Sequence, residues 1–442
     1  MTIFALSSGP GISGVAVIRI SGPQTKNVIK AITNGFNPEP RIATLKKIVE
    51  IKTKELLDEC ILIWFPGPNS YTGEDMAEIH AHGSIAVVQS ILDNISKIDS
   101  CRLAEPGEFT KIAFQNEKIN LIKAESIGDL IASETEIQRK QALKIMSGKS
   151  SDKFNSWRET LLKILSNLEA KIDFPDDDLP SDILKNIKIN SDKVKFEIKK
   201  TLRDSRVGER IREGFKISIL GPTNAGKSSL LNFLAKRDVA IVSEVAGTTR
   251  DVIEVHLNID GYPVAISDTA GIRNSQDEIE KKGINLALKR AEDSDLNILI
   301  FEPKSVDFTD FLKDIDIAKS IFVINKSDLG INKNKSLNQY QPLYISVKDE
   351  ININELIDLI KMKLKDQFTS VEDTLITRER HRQHLEQCVA QLEEFSKKEN
   401  ENDFDKATED LRLATRHLGM LVGKVDVEEI LGSIFNDFCI GK

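Results

Sequence analysis

Apolar and polar residues alternate in several short runs of the first 118 residues. Val15–Ile20 and Cys60–Phe65 are two such runs, and glycine and proline separate them from their neighbours. Alternation with a period of two is typical of half-buried strands, and Gly/Pro turns typically join such strands. We therefore predict a compact α+β domain over residues 1–118.

From residue 119 the apolar spacing becomes helical, with Leu130, Leu143, Trp157 and Leu161 among the apolar positions. The acidic, proline-containing stretch 175–180 interrupts this pattern, which resumes to about residue 212 and returns over residues 372–438. We expect one all-helical domain in two parts, 119–213 and 367–442, with a separate domain inserted at 214–366. The chain has no internal repeat and no low-complexity segment.

The inserted segment begins with a phosphate-binding pattern. The strand-like run Phe215–Leu220 leads into Gly221–Ser228, which fits G-x-x-x-x-G-K-[ST] at every position, and the helical run Ser229–Leu234 follows. In this context the loop N–H groups and the helix N-terminus hold phosphate, Lys227 reaches the outer phosphates and Ser228 binds Mg²⁺. The flanking strand and helix disfavour the alternative, a glycine turn before an ordinary helix. We predict a doubly wound P-loop domain.

Two later segments identify the base. Asn325-Lys326-Ser327-Asp328 follows the apolar strand Ile321–Ile324. A carboxylate there accepts hydrogen bonds from the N1–H and 2-amino groups of guanine, whereas adenine has no such donor pair at that edge. Ser346-Val347-Lys348, after the strand Leu343–Ile345, fits the companion base-contacting loop. The predicted ligand is therefore GTP.

The segments between these landmarks fit a GTPase. Asp268 ends a strand-like run and suits a role near Mg²⁺, Gly271 suits contact with the γ-phosphate through its N–H, and Thr249 is expected as the second hydroxyl on Mg²⁺. However, Ile272 stands where small regulatory GTPases place the glutamine that orients water. Catalysis then requires another acid, such as Glu280, together with a cation, for which Asn224 is a candidate ligand; read alone, Glu280 is an ordinary solvated helix residue.

The whole chain resembles the family of tRNA modification GTPases known as MnmE or TrmE. Besides the motifs above, the resemblance rests on Phe65–Asp75, Pro106–Thr110, Ile172–Asp176, Ala246–Asp251 and the terminal Phe438–Lys442. It implies a GTP hydrolase that acts with the flavin-dependent partner MnmG (GidA), FAD being bound by that partner only. Together they would install an aminomethyl or carboxymethylaminomethyl group at C5 of the wobble uridine of certain tRNAs, using 5-formyl- or methylene-tetrahydrofolate.

The resemblance also implies roles for individual residues of the G domain. K⁺ would be bound by Asn224 and the carbonyls of Ser243, Val245 and Thr248, and would drive pairing of two G domains. Glu280 would position the attacking water, and Lys227 is the second predicted catalytic residue. The full predicted GTP-binding set is Asn224, Ala225, Gly226, Lys227, Ser228, Ser229, Ser243, Glu244, Val245, Ala246, Gly247, Thr248, Thr249, Asp268, Thr269, Ala270, Gly271, Asn325, Lys326, Asp328, Ser346, Val347 and Lys348.

The family's N-terminal domain binds folate and forms the homodimer, and two such chains are expected with two MnmG chains in an α2β2 assembly. The folate contacts carry over to Arg19, Glu78, Lys118 and Lys442, although each alone would be an ordinary charged surface residue. His80 and His82 nearby are more readily hydrogen-bonding residues than metal ligands. For Cys439 a chemical role and a buried, small apolar side chain remain as alternatives.

Composition bears on nucleic-acid binding, on the compartment and on metal or disulfide sites. The 442 residues suggest about three domains, and 61 basic against 69 acidic residues give a net charge of −8, so any tRNA contact is expected to be local. The basic cluster Arg378, Arg380, His381, Arg382 and His384 fits either RNA phosphate or, more readily, a solvated helix face. The lack of a leader or membrane-length apolar run favours the cytoplasm, and four scattered cysteines favour neither zinc nor disulfides.

Two other functions remain open from the sequence. One is a GTP-dependent switch or assembly factor for the ribosome, whose flanking domains act only as binding modules. The other is a folate-binding structural protein with a vestigial G domain, which the intact Lys227, Ser228, Thr249 and Asp268 disfavour.

Overall fold

The computed structural model describes residues 1–173, 183–204, 206–222, 224–236, 254–268, 288–303, 315–330, 337–367, 374–398, 404–425, 431, 434–435 and 438–441. The chain forms two compact units. The first unit contains Met1–Gly128, Ile145–Asp178 and Asn400–Lys442, and the second contains Asp129–Lys144 and Leu179–Glu399. The helical segments on either side of the inserted domain are therefore shared between the two units.

A six-stranded sheet is the centre of the first unit. Its strands are β1 (Thr2–Leu6), β2 (Ser13–Ser21), β3 (Thr44–Val49), β4 (Leu56–Phe65), β5 (Met76–Gly83) and β6 (Cys101–Leu103), in the order β3-β4-β5-β2-β1-β6. Only the β1–β6 pair is parallel. Helices α1 (Thr25–Ile32) and α2 (Ile85–Ser96) connect its strands, and α3 (Glu108–Gln115) follows β6. Alternate residues of β2 and β4 lie on one face of the sheet and form part of a buried core, as predicted. Ile18, Ile20 and Leu62 of this core are fully buried.

Long helices complete the first unit. α6 (Lys149–Asp173) packs against α12 (Phe404–Val422). Trp157, Leu161 and Leu168 of α6 are buried at helical spacing, which is the periodicity that predicted the helix. α4 (Leu121–Ile131) and α5 (Glu136–Met146) contain points where the chain passes from one unit to the other.

The second unit contains a mixed sheet of the P-loop type. Its strands are β7 (Phe215–Leu220), β8 (Glu254–Ile259), β9 (Tyr262–Asp268), β10 (Leu296–Phe301), β11 (Ser320–Ile324) and β12 (Leu343–Tyr344), in the order β12-β11-β10-β7-β9-β8. All neighbours are parallel except β8 and β9. β10 is buried along its whole length, as expected of a central parallel strand. The carboxyl ends of β7, β10, β11 and β12 therefore meet at one edge, where ligands bind in such folds.

Further helices lie among the described residues of the second unit. They are α7 (Ile183–Leu202), α8 (Val207–Glu213), α9 (Lys227–Lys236), α10 (Ile353–Gln367) and α11 (Glu379–Ser396). α9 begins inside the phosphate-binding pattern, and α7 packs against α11. Within the described ranges, no helix combines the length and the apolar composition that a membrane crossing requires.

The basic cluster at the start of α11 is part of the packing of the second unit. The Arg382 side chain is 5% exposed and binds Glu209 (2.8 Å) and Asp204 (2.6 Å). Burial alone would lower the pKa of Arg382, but these two carboxylates raise it above its usual value. Arg378 binds Asp129 at 2.7 Å. The expectation of a solvated helix face is therefore wrong for these two arginines, because their charges are neutralised within the unit.

Candidate functional site

The phosphate-binding loop turns tightly at its two glycines. A Cβ at Gly221 would lie 2.0 Å from the carbonyl oxygen of Ile300 in β10, and a Cβ at Gly226 would lie 2.2 Å from Nδ2 of Asn325. Both glycines have positive φ angles, +150° and +99°. Only glycine fits at either position, so the loop packs directly on the ends of β10 and β11.

Lys227 and Ser228 occupy the first turn of α9. The Lys227 ammonium donates to the carbonyl oxygens of Gly221 (2.9 Å) and Pro222 (2.8 Å), so it lies over the loop. Ser228 and Ser229 are exposed beside it. An ammonium group and an exposed hydroxyl at a helix N-terminus suit a triphosphate with Mg²⁺.

Asn224 lies in the same loop with its side chain exposed. Its φ angle is +67°, a left-handed conformation that asparagine adopts more readily than most residues. An amide oxygen there is a suitable ligand for a monovalent cation next to bound phosphate.

Asn325 connects the phosphate loop to the base-contacting loop. The residue is 3% exposed, its Nδ2 donates to the carbonyl oxygen of Ala225 (2.9 Å), and its Oδ1 accepts from the N–H of Val347 (3.1 Å). Its own N–H donates to Phe301 at the end of β10 (2.8 Å). One buried side chain therefore sets the spacing between the part of the site that holds phosphate and the part that reads the base.

Asp328 is exposed and is oriented by a buried serine. Ser346 donates to Oδ1 of Asp328 at 2.8 Å and is itself fully buried. Lys326 has a φ angle of +60° and pairs with Glu302 at 2.8 Å, and Lys348 is exposed at the start of the next turn. The predicted base-contacting residues thus meet at one edge of the sheet, with a fixed carboxylate available for two donors of a purine.

Part of the predicted site lies outside the described residues. The structure places the backbone of Asp268 at the end of β9, paired with Ile219 of β7 and therefore beside the start of the phosphate loop. The predicted residues outside the described ranges are Ser243, Glu244, Val245, Ala246, Gly247, Thr248, Thr249, Thr269, Ala270, Gly271, Glu280 and Lys442. Ile272 also lies outside them.

A second candidate site lies on the sheet of the first unit. Arg19 and Glu78 face each other on β2 and β5 and form an ion pair at 3.0 Å, with side chains 17% and 18% exposed. The guanidinium lies 5.5 Å from the ring centre of Tyr71 and 5.7 Å from that of Phe109. It also donates to the carbonyl oxygen of Gly441 (3.4 Å). Phe109 is fully buried, whereas Tyr71 is only partly buried. A cation, a carboxylate and the ring of Tyr71 suit a flat heterocycle that carries N–H groups and a carboxylate tail.

Residues Cys439 and Gly441 bind beside this sheet, at the residue after β1 and at the residue before α3. Ser7 donates to the carbonyl oxygen of Gly441 (2.5 Å), and Gly107 donates to that of Cys439 (3.4 Å). Cys439 is exposed, so the alternative that it is a buried, small apolar residue is wrong. Lys118 is exposed too, and its Cε would lie 2.9 Å from a Cβ at Gly73.

The two histidines near this site bind carboxylates. His80 Nε2 lies 3.3 Å from Glu78, and His82 Nδ1 lies 2.8 Å from Asp58. Burial alone would raise the pKa of Asp58, but hydrogen bonds from the backbone and side chain of His82 lower it. Both histidines are therefore hydrogen-bonding residues, as expected.

Sequence reasoning did not identify four residues of the second site, Ser7, Tyr71, Phe109 and Gly441. Tyr71 and Phe109 belong to segments that carried the family resemblance, which was an available signal. Ser7 and Gly441 are 434 positions apart and carry no local pattern.

Comparison with known proteins gives matches over nearly the whole chain. Residues 2–118 match the family model of the GTP-binding protein TrmE N-terminus, and residues 121–439 match that of the MnmE helical domain. The chain is 67% identical to the tRNA modification GTPase MnmE of Pelagibacter ubique and 45% identical to that of Rickettsia bellii, covering 100% of both chains in each case. The structure of Era from Aquifex aeolicus bound to GDP and AlF4⁻ matches this chain with 26% sequence identity and a TM-score of 0.27. The match covers 34% of this chain and 56% of the Era chain.

Proposed function

Since the chain belongs to the MnmE family of tRNA modification GTPases, we propose that its GTP hydrolysis drives modification of the wobble uridine of certain tRNAs. The product is a 5-aminomethyl or 5-carboxymethylaminomethyl group. The one-carbon unit comes from a tetrahydrofolate derivative, and the flavin-dependent partner MnmG supplies the redox chemistry through its FAD. We place this reaction in the cytoplasm.

The observation that carries the proposal is the position of the C-terminal tail. Gly441 lies at Arg19, which pairs with Glu78, so two of the proposed folate residues and the residue before Lys442 come together on one sheet. In the proposed complex Glu78 accepts from pterin N–H groups, and Arg19, Lys118 and Lys442 hold the anionic tail of folate. Cys439, exposed two residues before Gly441, is proposed to have a chemical role at this site.

The second unit is proposed to bind GTP through the residues of its sheet edge. Lys227 neutralises charge on the outer phosphates, Ser228 and Thr249 hold Mg²⁺, and Asp328 reads guanine. The Mg²⁺ and K⁺ ions, when bound, stabilise the charge that develops during phosphoryl transfer. Asn224, Ser243, Val245 and Thr248 hold the K⁺, and Glu280 positions the attacking water.

Three organisational features belong to the same proposal. K⁺ binding pairs two G domains, each extending over residues 214–366, and this pairing activates hydrolysis. The N-terminal domain, residues 1–118, forms the constitutive homodimer. Two such chains and two MnmG chains form an α2β2 complex on which hydrolysis drives a conformational cycle.

Nucleoside analysis tests the proposal directly. Total tRNA from cells lacking this chain is digested and its wobble uridines are measured by mass spectrometry. We expect loss of the modified nucleosides, and we expect their return with the wild-type chain but not with the Lys227→Ala variant. Unchanged wobble uridines in the deletion strain would refute the proposal and favour a ribosome assembly or switch factor.

A further inference from the structure

The first unit contains a cavity of about 910 Å³ outside the Arg19–Glu78 site. Its walls come from the residues after α3, the junction of α5 and α6, and the C-terminal end of α12. At Gly423, which has a φ angle of +80°, a Cβ would lie 2.7 Å from the ring of Phe114. The close approach of α12 to α3 at this wall therefore requires glycine.

The cavity carries an excess of positive charge. Four cationic side chains line it, those of Lys118, Lys123, Arg158 and Lys424, against the carboxylates of Glu117 and Asp152. In the part of the chain that the structure describes, none of the four has an ion-pair partner. Arg378 and Arg382 differ, because their carboxylate partners neutralise them. In a chain of net charge −8, unpaired cations around a cavity suit an anionic ligand.

The lining also contains groups that recognise a base. The Nε atom of Arg158 and the Oδ1 atom of Asn155 are buried without a hydrogen-bond partner among the described residues. Asn120 and Asp152 add further hydrogen-bonding groups, and Phe114 adds an aromatic ring. Side-chain amides and carboxylates pair with the edges of unstacked bases, and aromatic rings stack on their faces. Carboxylate groups are acceptors only, so a tail made only of carboxylates offers no donor to Asp152 or to the Oδ1 atom of Asn155.

We propose that this cavity binds one unpaired nucleotide of the tRNA anticodon loop. The phosphates on either side bind Lys123, Arg158 and Lys424, and the base pairs with Asn155 and Asp152. The volume lies within the range of small-ligand sites and accommodates a nucleotide displaced from its stack. This inference rests on the proposed function: because Lys118 is both a cavity residue and a proposed folate residue, the RNA would be held next to the one-carbon donor.

A pair of matched double variants of the full chain tests the cavity. Lys123→Ala with Lys424→Ala removes two cavity charges, whereas Lys30→Ala with Lys163→Ala removes two exposed lysines of the same unit that do not line it. The probe is a labelled anticodon stem-loop with a wobble uridine, titrated at several salt concentrations. We expect the cavity variant to bind at least about tenfold more weakly, with a salt slope smaller by about 0.7 for each phosphate that it no longer neutralises. The control variant should bind like the wild type, and both should hydrolyse GTP at the wild-type rate.

Two further ligands separate the alternatives. A blunt-ended RNA duplex should bind the wild type weakly, because it offers no unpaired nucleotide. Folate mono- and pentaglutamate should bind the cavity variant as they bind the wild type. Equal RNA binding by the two double variants would overturn the inference. Loss of folate pentaglutamate binding alone would overturn it too, and would assign the cavity to the folate tail. Normal wobble uridines in the deletion strain would instead refute the proposed function, so the two failures are distinguishable.

Discussion

The variant Asn325→Ala should weaken nucleotide binding without changing the preference for guanine. The wild-type side chain is buried and forms two hydrogen bonds, one to Ala225 of the phosphate loop and one to Val347 of the base-contacting loop. The alanine variant leaves the Ala225 carbonyl and the Val347 N–H without these partners. Asp328 and its bond to Ser346 remain in place.

The magnitude follows from the removal of two hydrogen bonds. Each is worth about 0.5–1.5 kcal/mol net, and the groups left without partners in a buried position add to the cost. We expect a total loss of about 2–3 kcal/mol, shared between the stability of the second unit and its nucleotide affinity. If all of it appeared as affinity, Kd for GTP and GDP would rise about 30- to 150-fold.

Titration of both variants with labelled nucleotides measures the two effects. Asn325→Ala should weaken GTP and GDP alike while keeping the preference of guanine over adenine nucleotides. The control variant Asp328→Asn should lose that preference, because its amide no longer offers the anionic double acceptor. If Asn325→Ala reduced the preference and left the affinity for GDP unchanged, the reasoning about the Asn325 bonds would be refuted.

The remaining predictions concern three separate features. Arg382→Ala should lower the free energy of unfolding of the second unit by about 3–5 kcal/mol, because it leaves buried Glu209 uncompensated. Chemical denaturation should show a smaller loss for the control variant Lys199→Ala, which breaks an exposed ion pair. Equal losses for the two variants would contradict the argument. Gly441→Ala places a Cβ 2.1 Å from the carbonyl oxygen of Leu6 and should weaken folate binding about tenfold or more in calorimetry without changing GTP turnover. GTP hydrolysis should be much faster in K⁺ than in Na⁺, and Asn224→Ala should remove that difference; equal wild-type rates in both salts would exclude the proposed cation site.

The sequence predicted the elements whose signals are contiguous. The strand Phe215–Leu220, the phosphate loop and the start of α9 follow one another in the chain, so their geometry depends on neighbouring residues and their pattern is readable. The strands β2 and β4 were likewise predicted by their alternation. The ion pairs that neutralise Arg382 were not predicted, because the two carboxylates lie 173 and 178 positions away in the sequence.

By itself, the sequence determined that this chain has a P-loop and flanking α+β and helical segments, and it predicted that Asp328 selects guanine. These depend on residue types at fixed local spacing. Only the tertiary structure decided that Asn325 joins the two loops of the nucleotide site, that the tail returns to Arg19 across 422 positions, and that four cations of the described residues meet unpaired around one cavity. Such contacts arise when distant segments bury their apolar faces together, and no local pattern records which polar groups this brings together.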